Sequence, residues 1–546
     1  MAQKIMKRLT FSVVLLSLSI SVFAQKPKVV VGIVIDQMRQ DYLYRFENKF
    51  SEGGFKRLLK EGYSFKNAHY NYIPTYTAPG HASIYTGTTP SNHGIISNSW
   101  FDKVKEITTY CVFDGTVSAV GGNERNGRMS PRNLKASTIT DELMLTSNFR
   151  SKVVGVSIKD RGSILPAGHN PTGAYWFDSN TGKFMTSTYY SEKLPDWVDS
   201  FNKRRLPNQY LSQTWTTLED IEKYKESSQD DAPYEVPFKG QDKAVFPYDL
   251  AELAKDNGVG LIRTTPFGNQ LVLDMGLAAI EGAGLGEDSI TDFLAISFSS
   301  TDYVGHAFGP YSIELQDTYL RLDLEIKRLL DYLDERFGND YMLFLSADHG
   351  VVEVPLFLED TKMVGGYLDL KDLEATIKQG LKDRFGNGNW IKSLSNDQVF
   401  LDHDLLRDKG IDPLKMRRYL KELLLTVDGV NRVYTADELT EGNATDMIKQ
   451  RFENGFNMKM SGDLAISLTP GYLINSGYGK AGTTHGSGYT YDTHVPIIFF
   501  GSHIRKGTSV RKVAVTDIAP TLSMLLDISL PSSCTGLPLK ELFDNE

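Results

Sequence analysis

Asp302-Tyr-Val-Gly-His306 and Asp348-His349-Gly350 place carboxylate and imidazole groups at spacings that suit a bound divalent metal. Zinc takes imidazole nitrogen and carboxylate oxygen, with three protein ligands where it must also hold a substrate. Asp302 and His306 are four residues apart, so one helical turn brings them to a shared face. Asp348 and His349 follow an apolar run directly, and Gly350 can relieve backbone strain at the turn. His485, in Gly482-Thr-Thr-His-Gly-Ser487, can add a ligand from a glycine-rich loop. Asp36 completes a set of three aspartates and three histidines.

Each piece alone has an ordinary meaning. Asp-x-x-x-His is commonly a surface pair, Asp-His-Gly a turn, a loop histidine solvated, and a residue such as Asp36 a helix cap. Placement is what joins them. Asp36, Lys159, Asp302, Asp348 and His349 all fall just after apolar runs, at the edge where ligands bind in open α/β sheets.

A third signal is Pro74-Thr-Tyr-Thr-Ala-Pro-Gly-His81. Thr77, followed by Ala78-Pro79, reads as an N-cap with proline in the first helical turn. A helix N-terminus favours anions. A hydroxyl at that point, activated by a metal, is a nucleophile for phosphorus. His81 follows closely and reads as packing only.

The elements that must position these groups read as buried strands. Lys28 to Ile35 is nearly all apolar, and the pattern recurs at 152–158, 292–298, 341–345 and 495–500. Such runs fit strands covered on both faces, as in a parallel sheet. Between them lie helical patterns, clearest from Glu314 to Phe337, where Leu320, Leu322, Ile326, Leu329, Leu330 and Leu333 form a stripe. Strands alternating with helices predict an α/β fold with a central, mostly parallel sheet flanked by helices.

Two stretches read as insertions into one catalytic domain spanning 25–546. Residues of about 165–260 are rich in Tyr, Trp, Asp and Lys with weak periodicity, which predicts a loop-dominated lid. Residues of about 360–475 alternate helix and strand and predict a small α+β accessory unit.

The first 24 residues are of another kind. Lys4, Lys7 and Arg8 precede an apolar run from Leu9 to Phe23, and Val22 and Ala24 fit the small-residue cleavage rule. This is the pattern of a signal peptide cut after Ala24, which predicts a periplasmic or secreted protein with no membrane anchor after removal. Net charge of −9 gives no basic face for nucleic acid. Two cysteines, Cys111 and Cys534, supply no disulfide framework and are expected as free thiols.

Taken together, Asp36, Thr77 in its Pro-Thr-Tyr-Thr-Ala-Pro-Gly-His context, Asn98 in His-Gly-Ile-Ile-Ser-Asn, Asp302/His306, Asp348/His349 and His485 resemble the alkaline phosphatase superfamily. Thr516-Asp-Ile-Ala-Pro-Thr-Leu522 resembles its last core helix, so the likeness covers nearly the whole mature chain. Lys159-Asp-Arg161 resembles the phosphoryl-binding pair of the PafA-type monoesterases. The resemblance implies an alkaline-phosphatase-like fold, two zinc ions, and a phospho-threonine intermediate on a phosphate monoester. One zinc would be held by Asp302, His306 and His485, the second by Asp36, Asp348, His349 and Thr77. Asn98, Lys159 and Arg161 would contact the phosphoryl oxygens, and the enzyme would act as a monomer on small phosphate monoesters. Two metals ~4 Å apart suit such a reaction, since they clamp the attacking and leaving oxygens of an in-line displacement.

Departures from relatives narrow the reading. The best-known members use serine and a magnesium site. Here the match is threonine, and Lys159 is expected in the region magnesium would fill, so no magnesium is predicted. Sulfatases of the superfamily need Cys or Ser in a Cys/Ser-x-Pro-x-Arg context, which Thr77-Ala-Pro-Gly-His81 lacks. The rival is a phosphodiesterase or nucleotide pyrophosphatase of the same superfamily, which usually lacks the Lys/Arg pair. A non-catalytic exported zinc-binding protein is the rival of another class.

Overall fold

The computed structural model describes residues 26–474 and 481–543. The signal-peptide reading, residues 1–24, lies outside the described residues.

Eleven strands form the central sheet: β1 (Val29–Ile35), β2 (Tyr63–His69), β3 (Ala119–Val120), β4 (Val153–Ser157), β5 (Gly173–Asp178), β6 (Lys183–Ser187), β7 (Asp292–Phe298), β8 (Tyr341–Ser346), β9 (His494–Gly501), β10 (Gly507–Ser509) and β11 (Val513–Ala514). Their order is β10-β2-β9-β8-β1-β7-β4-β5-β6-β3, with β11 also on β2. The centre, β8-β1-β7-β4-β5, is parallel. Every residue of β1, β7 and β8 is buried, which is why these stretches read as unbroken apolar runs.

β9 departs from the simplest reading of its sequence. It is as apolar as its neighbours but runs antiparallel to β8 and to β2. An apolar run reports burial on two faces and carries no information on direction.

Helices cover both faces of such a sheet. The ones that matter for the site are α1 (Thr77–Thr86), α2 (Asp160–Ala167), α3 (Phe267–Ala283), α4 (Ser300–Phe308) and α5 (Ile313–Phe337). The helix α5 buries the stripe Leu320, Leu322, Ile326, Leu329, Leu330 and Leu333 in the main core. The helix α1 is buried along its whole length. Its first turn lies so close to β8's end that a Cβ on Gly80 would stand 2.3 Å from the Asp348 carbonyl oxygen. Glycine there is what lets the Thr77 segment approach the Asp348 segment.

Part of the stretch expected as a loop-dominated lid is core sheet instead. Residues 173–178 and 183–187 are β5 and β6, and Tyr175, Trp176 and Phe177 are buried. Aromatic richness there reflects burial on both faces of the sheet edge and not a loop composition. Farther on, the backbone of 234–236 is tied to the site: Val236 N–H donates to the Ala307 carbonyl at 2.9 Å, and the Tyr234 carbonyl accepts from Gly482 N–H at 2.8 Å.

Within 360–475, strands 391–395, 398–401, 464–468 and 430–435 form a separate four-stranded sheet in that order. Helices 370–385 and 413–424 bury Leu373, Ile377, Leu381, Met416, Leu420 and Leu424 against it. Cys111 is buried, Cys534 is half-buried, and both are free thiols. No helix among the described residues is long and apolar enough to cross a membrane.

Candidate active site

The C-terminal ends of four adjacent parallel strands converge on one point. Asp36 follows β1, Lys159 follows β4 by two residues, Asp302 lies in the first turn of α4 after β7, and Asp348 and His349 follow β8. The loop entering β9 brings in His485, and the last turn of α4 brings in His306. All three aspartates, His349 and His485 are buried, and His306 is about one-fifth exposed.

Asp36, Asp348 and His349 present ligand atoms within 4.8 Å of one another, as the resemblance implies. The second group that close is Asp302, His349 and His485, so His349 stands between the two sets. His306 belongs to the same neighbourhood by a different measure: its Nε2 is 3.1 Å from Asp302 Oδ1, and His485 Nε2 is 3.6 Å from that atom. The His349 and His485 rings stack at 3.4 Å between centroids.

The donor set fits metal ions on its own chemistry. Asp36 Oδ1, Asp348 Oδ2 and His349 Nε2 are buried without a hydrogen-bond partner. Of the three buried carboxylates two pair with one lysine, since Lys159 Nζ lies 2.6 Å from Asp302 Oδ2 and 2.7 Å from Asp36 Oδ2. Burial, then the neighbouring Asp36 charge, pushes the Asp348 carboxyl well above the usual range. Burial likewise takes His349 down to about 3, and burial with the adjacent His349 and His306 takes His485 well below its ordinary value. Neutral imidazoles and charge-starved carboxylates are what divalent zinc accepts. Leaving such carboxylates buried and unmatched costs several kcal/mol per ion, on the order of the penalty for any buried unpaired charge.

Each histidine is also aimed. His306 Nδ1 is 2.7 Å from the Thr483 carbonyl, His485 Nδ1 is 2.7 Å from the Thr75 carbonyl, and His349 Nδ1 is 2.9 Å from the Gly350 carbonyl. A ring that donates Nδ1–H to a carbonyl leaves Nε2 free as a ligand, and all three Nε2 atoms face the carboxylates.

Thr77 stands in the first turn of α1, but not as its cap. Tyr76 is the N-cap residue and Thr77 is the first helical residue, with no side-chain cap bond at this end. The expected cap is corrected to a hydroxyl left unspent on the helix. Asn98 serves the first turn instead, because its Oδ1 accepts from Ala78 N–H at 2.9 Å. Its amide NH2 is left for another acceptor.

On the other side, Lys159 caps α2 from outside and Arg161 lies in that helix's first turn. Burial works against the Lys159 charge, but Asp302 and Asp36 outweigh it and hold the ammonium above its ordinary value. Arg161 Nη1 donates to the Tyr110 hydroxyl at 3.0 Å, and that hydroxyl donates to Asp160 Oδ1 at 2.5 Å. Arg161 Nε is buried without a partner.

Three residues of this site carry no distinct signal in the sequence. His81 is more than packing: Nδ1 is 2.8 Å from the Thr77 carbonyl and Nε2 is 2.9 Å from Ser297 Oγ, while burial lowers its pKa to about 4. Tyr110 sets the angle of Arg161. Gln37 links two carboxylates of the donor set, donating its backbone N–H to Asp348 Oδ1 at 3.1 Å and its Nε2–H to Asp302 Oδ1 at 2.9 Å. It does so from a left-handed backbone, φ 65°, and a Cβ on Gly305 would sit 1.9 Å from its Oε1. Only the adjacency of Gln37 to Asp36 hints at it. Gln37→Gly keeps that backbone and removes the amide. The expected result is a roughly 10- to 100-fold loss of metal affinity, read by titration with a competing chelator.

With this geometry in view, the likeness to known proteins is specific. Residues 30–492 match the family model described as type I phosphodiesterase / nucleotide pyrophosphatase. Alkaline phosphatase PafA of Elizabethkingia meningoseptica is 48% identical over 520 residues, 94% of each chain. The crystal structure of wild-type PafA superposes with a TM-score of 0.91, covering 94% of this chain and 99% of that one. The chain belongs to the alkaline phosphatase superfamily. Within it the chain groups with PafA rather than standing apart: alkaline phosphatase PhoV of Synechococcus elongatus is 45% identical, over 96% of this chain and 94% of PhoV. A Myroides odoratus protein named as a calcium-transporting ATPase is 46% identical over 95% of both. A PafA variant with a threonine, an asparagine, a lysine and an arginine replaced together has been solved as well, with the same TM-score of 0.91.

Proposed function

We propose that the chain hydrolyses phosphate monoesters to an alcohol and inorganic phosphate through a phospho-threonine at Thr77, outside the cytoplasm and with two zinc ions. The observation that carries the reading is Lys159. Its ammonium bridges Asp36 and Asp302, one carboxylate from each ligand set, at 2.7 and 2.6 Å. A fixed cation at that point suits a dianionic phosphoryl group, and no magnesium is proposed.

Asp36, Asp348 and His349 would hold one zinc, and Asp302, His306 and His485 the other. When bound, the ions supply Lewis-acid stabilisation of the attacking and leaving oxygens. The chain's own groups do the rest. Thr77 Oγ, uncommitted to helix capping, gives up its proton and forms the new bond to phosphorus as the bond to the ester oxygen breaks; the ester oxygen leaves with that electron pair and takes up a proton to become the alcohol. Asn98, fixed through Oδ1, turns its NH2 toward a non-bridging oxygen. Lys159 and Arg161 face the remaining charge, which a loose transition state leaves on those oxygens. Water then gives up a proton and attacks phosphorus, the bond to Thr77 Oγ breaks, Oγ regains a proton as the hydroxyl, and phosphate leaves.

PafA and PhoV are alkaline phosphatases by name, which supports the monoester reading. The residue types replaced in the PafA variant, Thr, Asn, Lys and Arg, are those of Thr77, Asn98, Lys159 and Arg161. The transport activity in the Myroides relative's name finds no counterpart in a membrane-crossing helix among the described residues.

The test is phosphate release from a monoester and a matched diester, compared as kcat/KM, before and after dialysis against a chelator. The expected result is a large monoester preference, loss of release on dialysis, and recovery with zinc but not magnesium. A diester preference would move the chain to the phosphodiesterase branch. Loss of thermal stability with no activity at any stage would favour a non-catalytic zinc protein.

A further inference from the structure

The accessory unit reaches the catalytic unit beside Asn98, one of the proposed phosphoryl contacts. Its strands 391–395 and 398–401 are joined by Asn396-Asp397, both in the left-handed region at φ 53° and 56°. Two such residues form a tight primed turn, for which asparagine is well suited. The Asn396 side chain does not serve this turn. Its Oδ1 accepts from Ser97 Oγ at 2.9 Å, and its Nδ2–H donates to the Ser99 carbonyl at 2.7 Å. Ser97 and Ser99 flank Asn98. One amide, 299 and 297 residues away in sequence, therefore pins the chain on both sides of Asn98.

The same contact continues beyond the turn. Residues 99–102 and 107–110 form a hairpin, Ser99 facing Tyr110, and Cys111 N–H donates to the Asn98 carbonyl at 2.9 Å. Phe101 packs edge-on to Phe400 of the accessory sheet at 5.4 Å between centroids. Lys103 Nζ donates to the Ser461 carbonyl at 2.8 Å, and Lys392 pairs with Glu106 at 3.0 Å. Tyr110, paired with Ser99 at the open end of the hairpin, accepts from Arg161. Both the direct phosphoryl contact and the support of Arg161 thus sit on a hairpin seated on the accessory unit.

We propose that Asn396 is a positioning residue for Asn98, through which the accessory unit sets how tightly the site holds the phosphoryl group. The inference rests on the assignment of Asn98 as a phosphoryl contact. An asparagine side chain points its NH2 usefully only while its backbone is fixed. Asn98 is held at its tip by Ala78 N–H and at its base by Asn396. Releasing the base leaves the tip bond to compete with rotation of the whole segment.

The experiment compares wild type, Asn98→Ala, Asn396→Gly and the double variant. Glycine accepts φ 53° without strain, so Asn396→Gly removes the amide and spares the turn. For each protein, kcat/KM for an aryl phosphate monoester, the inhibition constant of inorganic phosphate and Tm are measured. Asn396→Gly is expected to lower kcat/KM and weaken phosphate inhibition about five- to thirty-fold, on the scale of two part-buried hydrogen bonds. In the double variant the loss should stay within about twofold of Asn98→Ala alone, because the two residues act through one contact. Asn396→Asp keeps the acceptor for Ser97 and loses the donor to Ser99, and should fall between wild type and Asn396→Gly. It also serves if the glycine variant does not fold. Unchanged phosphate inhibition in both position-396 variants, or losses that multiply in the double variant, would overturn the proposal. Asn98→Ala with wild-type constants would instead overturn the assignment of Asn98, and the inference with it.

Discussion

Thr77→Ala should reduce phosphate release from monoesters by at least about 10^4-fold, the scale on which removal of an activated nucleophile acts. The structure gives this variant an unusually clean interpretation. Thr77 is the first residue of α1 and makes no side-chain cap bond, so alanine costs the helix little. The His81 contact runs to the Thr77 backbone carbonyl, which alanine retains. None of the hydrogen bonds that aim His306, His349 and His485 involves the Thr77 side chain. Zinc content and Tm should therefore stay near wild type while covalent labelling of the chain by substrate disappears. Thr77→Ser, which keeps a hydroxyl, should retain labelling. If Thr77→Ala turned over at near-normal rates, the hydroxyl would be incidental and the phospho-threonine route would fall.

Arg161→Ala is the second large effect, and its value lies in selectivity. Monoester kcat/KM is expected to fall by about 10^2- to 10^3-fold, as for removal of one well-placed group that stabilises transition-state charge. Diester kcat/KM should fall far less, because a diester has one fewer charged non-bridging oxygen for the guanidinium to face. Neighbouring groups already hold Arg161 in place. Tyr110 accepts from Nη1, Asp160 accepts in turn from Tyr110, and Nε is buried with no partner. Burial opposes its charge, but the nearby Tyr110 and Asp160 hold its pKa well above the ordinary value, so it stays cationic throughout. Matched kinetics on the two substrate types decide the matter. Equal losses on both would remove the main physical ground for preferring a monoesterase.

Much of the site is legible in the sequence because its chemistry is concentrated in local segments. Asp302 and His306 share a helix face by spacing alone, and Asp348-His349 follows its strand after a single residue, Ala347. Apolar runs mark β1, β4, β7, β8 and β9, and the groups at the ends of the parallel ones do meet at one sheet edge. The position of Thr77 is not legible in the same way, because Thr before Ala-Pro looks alike whether its hydroxyl caps the helix or follows a Tyr76 cap. Nor is the stretch around β5 and β6, because aromatic residues are as much at home in a buried sheet edge as in a loop-built cover.

The sequence by itself determined the residue types gathered at the strand ends and the strands that carry them, since those depend on residue chemistry and short-range periodicity. Tertiary structure alone decided the direction of β9, the sharing of His349 between two donor groups, the bridge that Gln37 makes between Asp302 and Asp348, and the clamp of Asn396 on Asn98. These are contacts between segments hundreds of residues apart. Whether two such segments meet is set by how the whole chain closes around its sheet, and no local pattern of apolar and polar residues encodes that.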